Sequence, residues 1–345
     1  MPTMSGCCQL RMPTVPPWLP TRAAAISPPI EPFTTRNLSM TQLTDSGFKC
    51  LDLPAVQVAA QLHTLGPVRT RTPASHASIE QLGRYPQSDD ISEAGLVIGE
   101  DGLDLRLNLR AWHWVGISLD PEVGVYSLSV FDRHGKLLLC LASTEQSSLA
   151  GWAALYGRCV EKPADFSVQP SFSKRNPQVP GLVEEWAAMA NVHEHFALLK
   201  RHGLTRFEGN ALVAPQFARQ LAQTSPVAVF RQLAASALEL MLFVYSAGSV
   251  QIFTGRLTGM SEAGAELLFD MPASEQAAPT GFRIADAPDA QIWRVYKPNQ
   301  VGGVTSLEFF DAEQRLIVQV FARRPAGQPE QLAWREWLDA LEAAR

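Results

Sequence analysis

The sequence predicts an α+β fold made of two homologous repeats, each combining helices with a large antiparallel sheet. The first observation is an internal repeat: residues 126–142 align without gaps on the segment that begins at Thr305, and the same offset aligns Trp114 with Trp293. The second observation is the order of local signals, because helical sequence precedes a run of strands in both copies. That order indicates helices packed on antiparallel sheets, whereas alternating strands and helices would indicate a parallel sheet.

Composition sets the boundaries of the repeats. We place the first repeat at residues 41–160 and the second at residues 181–345. Residues 161–180, between them, are polar and proline-spaced, which is typical of a linker. Residues 1–40 contain eight prolines and are predicted to be a disordered leader, because proline interrupts both helices and sheets.

The overall composition disfavours several classes of protein. The formal net charge of -5 provides no general attraction for nucleic acid or anionic lipid. The apolar runs are shorter than a membrane span requires, so no membrane insertion is expected. The five cysteines show neither disulfide nor metal-ligand spacing, and the leader lacks the continuous apolar stretch of a secretory signal. We therefore expect a protein of the reducing cytoplasm.

The elements of the first repeat follow from its local patterns. Residues 53–66 have the composition and apolar spacing of a helix. Residues 127–141 alternate apolar and polar side chains on either side of Asp132. This alternation predicts an antiparallel hairpin whose turn begins at Asp132.

The second repeat shows the same order of elements. Helices are predicted at residues 183–203 and 215–223. Hairpins are predicted at residues 240–255 and 306–321, and Asp311 begins the turn of the second one. Helices followed by hairpins therefore recur in both halves of the chain.

The predicted helix at 183–203 carries three of the seven histidines of the chain. If this helix is continuous, one stripe at steps of three and four residues contains Trp186, Met189, His193, Phe196 and Lys200. On the same assumption His195 and His202 lie on another face, and we expect both to be exposed to solvent. His193 is then either a hydrogen-bonded core residue or a ligand. A single neutral imidazole cannot complete a zinc site, but it can hold the iron of a haem, whose porphyrin supplies four nitrogens.

With these residues assembled, the chain resembles the HemS-like family of bacterial haem-utilisation proteins, also called hemin-degrading factors. The matching stretches are "LDLRLNLRAWHWVGIS" in the first half and "VHEHFALLKRHGLTR", "WRVYKPNQVGGVTSLEFFDAEQRLIVQVFARR" and "AWREWLDAL" in the second. The resemblance extends from about residue 45 to the C-terminus. It implies two repeats whose sheets stack centrally, with haem b in a cleft between a helix of the second repeat and strands or loops of both.

The resemblance also implies which residues flank the iron. His193 corresponds to the axial ligand of the family. Arg106, in the Asp-Leu-Arg motif, corresponds to the arginine on the opposite face of the ring, where it would act on water or oxygen bound to iron. Without the resemblance, Arg106 would be interpreted as a strand-edge arginine in a salt bridge.

Further residues are implied to hold the rest of the cofactor. Arg206, Lys297 and the basic end of the strand at 316–324 correspond to the propionate contacts, and Phe321 to an aromatic residue against the porphyrin. Strand alternation places Gln319, Phe321 and Arg323 on one face, whereas the family pattern prefers Arg324. Both arginines remain candidates.

The resemblance predicts a cytoplasmic haem-binding protein of haem uptake and iron acquisition, which sequesters and traffics imported haem. The expected partners are an inner-membrane haem importer as donor and a haem oxygenase or other protein as acceptor. The alternative is a haem-degrading monooxygenase that releases iron. That enzyme would need an external electron donor, because the sequence has neither a dinucleotide fingerprint nor iron–sulfur cysteine spacing.

Overall fold

In the computed structural model, antiparallel strand pairing organises the protein into two large sheets. The structure describes residues 47–87, 101–167, 179–222, 225–274, 277–325 and 327–343, together with the backbone of residues 94–98. The predicted leader at 1–40 lies outside these residues, as does part of the predicted linker, residues 168–178. The described residues belong to a single compact unit.

The first sheet has nine strands and the second has eight. In spatial order the first contains β1 (Lys49–Cys50), β6 (Trp114–Leu119), β7 (Tyr126–Phe131), β8 (Leu137–Ser143), β2 (Val68–Pro73), β3 (Ala77–Gly83), β14 (Thr280–Ala285), β13 (Glu266–Met271) and β12 (Met260–Ala263). The second contains β4 (Ala94–Ile98), β5 (Asp104–Asn108), β11 (Ser249–Gly255), β10 (Leu240–Tyr245), β17 (Leu316–Ala322), β16 (Val304–Phe310), β15 (Gln291–Lys297) and β9 (Ala218–Gln220).

The two halves of the chain exchange strands between these sheets. Strands β12, β13 and β14 belong to the second half but extend the first sheet through the β3–β14 pairing. Strands β4 and β5 belong to the first half but extend the second sheet through the β5–β11 pairing. The predicted α+β class with large antiparallel sheets is confirmed, while the exchange was not foreseen, because residue periodicity identifies a strand and not its neighbour.

The sheets stack on each other through an apolar core. Phe230 lies between them: its ring centroid is 5.0 Å from that of Phe282 on the first sheet and 5.3 Å from that of Phe309 on the second. Leu267 of the first sheet and Val320 of the second are fully buried in the same cluster. The central stacking of the sheets is thus confirmed.

The internal repeat appears as matching irregularities in the two hairpins. The β7–β8 register shifts at Val130/Phe131 and the β16–β17 register shifts at Phe309/Phe310, positions that the sequence repeat aligns. The correspondence of the two tryptophans is only approximate. Trp114 lies opposite Phe131, whereas Trp293 lies opposite Glu308, two positions away from the aligned phenylalanine.

Seven α-helices lie in the described part of the chain. They are α1 (Ala55–Gln61), α2 (Leu149–Tyr156), α3 (Leu182–Ala187), α4 (Glu194–Arg201), α5 (Arg206–Leu212), α6 (Pro226–Ser236) and α7 (Leu332–Ala343). The helix predicted at 53–66 is α1 followed by a 3-10 turn at Leu62–Leu65. No helix within the described ranges is long and apolar enough to span a membrane.

The helix predicted at 215–223 is wrong. Ala218–Gln220 forms β9, which pairs with β15, and the Leu221 N–H donates to the Ile292 carbonyl at 2.8 Å. Helical spacing of apolar residues was outweighed by the edge of the second sheet, whose free backbone groups are satisfied by this segment.

A buried polar seam links the two sheets where strands from both halves meet. Gln81 Nε2 donates to the Ile252 carbonyl at 2.9 Å, and Gln251 Nε2 donates to Gln81 Oε1 at 3.1 Å and to the Thr70 carbonyl at 3.0 Å. Gln81, Gln251 and Thr70 are fully buried. Because a one-residue slip of β3 or β11 would turn these amides to the other face, the seam fixes the stacking register.

Replacing Gln81 with leucine tests this seam. The substitution leaves the Gln251 amide without its side-chain acceptor, and we expect the free energy of unfolding to fall by about 1–3 kcal/mol. The measurement is urea unfolding, and the matched control is Gln57→Leu on the exposed face of α1, which should change stability by no more than about 0.5 kcal/mol. Equal effects of the two substitutions would show that the seam does not stabilise the fold.

Candidate functional site

One face of the second sheet gathers most of the predicted site residues. Residues opposite each other in antiparallel strands share a face, as do alternate residues of one strand. The pairs that connect this face across the sheet are Lys297–Val304, Glu308–Gln319, Gln319–Phe243, Tyr245–Val250 and Val250–Arg106. We call this surface, which carries Arg106, Tyr245, Lys297, Gln319 and Phe321, the cleft face.

The buried carboxylate of Glu308 organises the sheet side of the cleft face. Its Oε1 atom accepts hydrogen bonds from Lys297 Nζ at 2.7 Å, Gln319 Nε2 at 2.6 Å and Ser306 Oγ at 3.1 Å. Tyr245 donates its hydroxyl to Gln319 Oε1 at 2.8 Å. A continuous hydrogen-bonded chain therefore runs from Tyr245 to the fully buried Glu308.

Helix α5 packs over the cleft face and donates to the same carboxylate. Thr205 caps the helix through a capping box with Glu208, which fixes Arg206 as its first residue. Arg206 NH1 donates to Glu308 Oε1 at 3.3 Å, and Asn210, one turn later, donates to Glu308 Oε2 at 2.8 Å. Arg206 and Lys297 thus share one carboxylate, and we call Arg206, Lys297 and Glu308 the charge cluster.

The charge cluster holds one more positive than negative charge. Burial alone would raise the pKa of Glu308, but the charges of Lys297 and Arg206 outweigh burial and hold that pKa well below its usual range. Burial lowers the pKa of Lys297 to about 8, against the attraction of Glu308. At neutral pH two cations therefore face one carboxylate.

Aromatic rings adjoin the charge cluster. Phe243 and Phe321 meet edge to face with centroids 5.7 Å apart, and Tyr245 lies 6.5 Å from Phe243. The Lys297 ammonium lies 5.5 Å from the Phe321 centroid, and the Arg206 guanidinium 6.0 Å from the Tyr245 centroid. These rings are partly exposed, so the cleft face combines an apolar surface with a cationic end.

The predicted helix at 183–203 is interrupted. Helix α3 ends at Ala187 and α4 begins at Glu194, and the segment between them is formed by turns. A single helical wheel therefore does not apply. His193 stands exposed immediately before α4, where its N–H donates to Asn191 Oδ1 at 3.0 Å.

The expected exposure of His195 and His202 is wrong. Only 2% of His195 and 4% of His202 is exposed, whereas Phe196 is 70% exposed. Counted from the start of α4, the buried residues are His195, Leu198, Leu199 and His202, which form a regular stripe. The adjacent leucines were the available sequence signal, and the break after Ala187 changed the phase of the helix.

His195 packs between the helices and the charge cluster. Its ring meets Trp186 edge to face at 4.6 Å, and its Nε2 atom has no hydrogen-bond partner among the described residues. Burial, followed by the charges of Lys297 and Arg206, lowers the pKa of His195 well below its usual value. The imidazole is therefore neutral.

The predicted arginines other than Arg206 lie outside the charge cluster. Arg106 is exposed on β5, where its charge acts on Asp104 of the same strand and on Tyr245 of β10. Arg323 pairs with Glu239 at 2.7 Å, whereas Arg324 donates to the Gln328 carbonyl at 3.0 Å. Of the two arginines, only Arg323 is engaged by a carboxylate of the described chain.

Sequence reasoning missed three residues of the site, Glu308, Asn210 and Tyr245. A signal existed for Glu308, because it is the single charge in the strand Val304–Phe310. A charged residue in such a strand must be paired when it is buried. Asn210 had no comparable signal, since its role depends on how α5 docks on the sheet.

Two neighbouring histidines provide a test of this geometry. We expect His195→Ala to lower the free energy of unfolding by about 2–3 kcal/mol, because it leaves a cavity beside Trp186. His193→Ala, at an exposed position, should change it by no more than about 0.5 kcal/mol. Urea unfolding of the ligand-free protein measures both, and equal losses would contradict the break between α3 and α4.

Comparison with known proteins agrees with the earlier resemblance. The family model of the haemin-degrading HemS.ChuX domain matches residues 46–159 and 203–341, and His193 lies between the two matched segments. The hemin transport protein HmuS of Yersinia pestis is 32% identical over 322 residues, covering 89% of this chain and 91% of that protein. The hemin transport protein HemS of Yersinia enterocolitica is 31% identical over 321 residues, with 89% and 91% covered.

Solved structures show the same architecture. The heme degrading enzyme ChuS of Escherichia coli O157:H7 has a TM-score of 0.74 and 27% identity, with 87% of this chain and 89% of that chain covered. Holo-PhuS, a heme-binding protein from Pseudomonas aeruginosa, has a TM-score of 0.73 and 28% identity, with 87% and 88% covered. Because these matches cover most of its length, the chain belongs to the HemS family of haem-utilisation proteins.

Proposed function

We propose that this protein binds haem b on the cleft face, and sequesters and traffics imported haem in the cytoplasm with His193 as the axial iron ligand. The observation that carries the proposal is the combination of partly exposed aromatic rings on one face of a sheet with a charge cluster of net positive charge, which Arg206 of α5 completes. The relatives named hemin transport and heme-binding proteins support haem as the cargo.

The residues present fit such a cargo. Haem supplies an iron atom that takes an imidazole nitrogen, a flat apolar ring and two carboxylates. The exposed His193 can supply the nitrogen, and the exposed Phe196 beside it adds apolar surface. Phe243 and Phe321 offer further ring contacts on the sheet.

The carboxylates of the cargo are assigned to the cationic end of the cleft face. Arg206 is the accessible member of the charge cluster, with 22% of its side chain exposed, whereas Lys297 lies beneath it with 3% exposed. A planar guanidinium can donate two parallel hydrogen bonds to one carboxylate. Arg324 is our choice for the second carboxylate, because no carboxylate of the described chain already engages it.

In the cell, this role needs a donor and an acceptor. We propose an inner-membrane haem importer as donor, and a haem oxygenase or another haem protein as acceptor. A ligand residue at a helix start, exposed and outside the packed core, suits repeated loading and release.

The axial role of His193 is tested by titrating the protein with hemin. We expect His193→Ala to weaken binding by about 100-fold, or ~2.7 kcal/mol, since it removes the iron–imidazole bond. The matched control is His113→Ala, which removes another exposed imidazole, next to the first strand of the β6–β7 hairpin. Binding that is unchanged in His193→Ala, followed in the Soret band, would refute the axial assignment.

A second candidate function is haem degradation. ChuS of Escherichia coli, which this chain resembles in structure, is a heme oxygenase. Arg106 is exposed on the cleft face, as a residue that orients water or oxygen near the iron would have to be. The electrons would come from an external donor.

The two functions are separated by exposing haem-loaded protein to air with a physiological reductant and catalase. We expect the haem to remain intact and to pass to an acceptor protein, whereas loss of the Soret band with release of one iron per haem would establish degradation.

The role of Arg106 is tested separately. Arg106→Ala should leave hemin affinity within about threefold but alter the pH titration of the ferric spectrum, and Arg106→Lys, which keeps the charge, is its control. If the ferric spectrum of Arg106→Ala shows the same pH titration as that of the native protein, Arg106 does not act at the iron.

A further inference from the structure

The charge cluster contains a carboxylate that the binding of haem does not itself require. Glu308 is fully buried and receives hydrogen bonds from both Lys297 and Arg206. A negative charge beneath an anion site reduces its attraction for carboxylates. Its presence therefore needs another explanation.

The surroundings of Lys297 supply that explanation. Its ammonium donates to Glu308 Oε1 at 2.7 Å and to Ser306 Oγ at 2.8 Å, both on β16, and it faces the Phe321 ring of β17. The other charged or titratable groups that act on it are Arg206 on α5, His195 on α4 and Glu330 in the segment before α7. Burial and Arg206 oppose its positive charge, and Glu308 is the strongest group that favours it.

We propose that Glu308 is a positioning residue that keeps Lys297 charged, and so sets the pH range in which the cleft face carries net positive charge for a carboxylate ligand. This inference rests on the proposed function, because the carboxylate is that of the haem cargo. Arg206 makes the direct contact, and Lys297 acts on the ligand through the shared carboxylate of Glu308.

The direction of the pH dependence follows from the charge count. Below the Lys297 pKa of about 8, Arg206 and Lys297 outnumber Glu308 by one charge. As pH rises through that value the ammonium loses its proton, and the cluster becomes neutral. Affinity for a carboxylate therefore falls with rising pH, and we expect a decrease of about fivefold to tenfold from this one charge.

Removing the carboxylate of Glu308 should shift this transition to lower pH. In Glu308→Gln, burial and Arg206 act on Lys297 without opposition from Glu308, so the lysine loses its proton earlier. In Lys297→Arg the guanidinium stays charged at every accessible pH, and the transition should disappear. A loss of structure alone would weaken binding at all pH values without moving the midpoint.

The experiment measures binding of metal-free protoporphyrin IX by fluorescence between pH 6 and 9.5. This probe carries both carboxylates but has no iron, so neither His193 ligation nor titration of iron-bound water contributes. Its dimethyl ester, which has no carboxylates, is the matched ligand control and should bind with no pH dependence. Thermal unfolding confirms that each variant is folded, and Lys297→Arg keeps the test decisive if Glu308→Gln does not fold.

The expected result is a midpoint near pH 8 in the native protein, a lower midpoint in Glu308→Gln and no transition in Lys297→Arg. A transition that persists in Lys297→Arg, or an unshifted midpoint in Glu308→Gln, overturns the role of Glu308 and leaves the proposed function standing. Equal binding of the free acid and the ester at every pH instead overturns the carboxylate site of the proposed function, and this inference with it.

Discussion

The paired carboxylate of Glu308 is the interaction on which the cleft face depends. A buried glutamate is costly unless cations and hydrogen-bond donors surround it, and here α5 supplies two of these groups and β15, β16 and β17 supply one each. Their common acceptor fixes the height of α5 above the sheet, and with it the position of Arg206. The same carboxylate thus links the docking of a helix, the register of three strands and the charge of the site.

The sequence repeat makes the asymmetry of the two sheets informative. The positions that align with Glu308, Gln319 and Phe321 are Ser129, Cys140 and Ala142, with the same strand register and the same irregularity in the hairpin. Ser129 and Cys140 form only a weak hydrogen bond at 3.7 Å. Two equivalent frameworks therefore carry very different surfaces: at these positions the second sheet has a carboxylate, an amide and an aromatic ring, whereas the first has a hydroxyl, a thiol and a methyl group.

Local patterns predicted much of the fold and less of the site. Alternation around Asp132 and Asp311 was sufficient for both hairpins, because each is a contact between neighbours in sequence. The exchange of β4–β5 and β12–β14 depends on which sheet edge is available, and no local pattern encodes that. His195 was misplaced because a short turn after Ala187 resets the helical phase. Glu308 was missed because the groups that donate to its carboxylate come from three segments that are distant in sequence.

The exchange of strands also constrains how the residues of the cleft face can change in evolution. Arg106 comes from the first half of the chain, yet its place is set by the pairing of β5 with β11 of the second. Neither half alone encodes a complete set of neighbours for its own sheet. A gene fragment for either half would leave sheet edges bare, so recombination between the halves is disfavoured and the two halves diverge as one inherited unit.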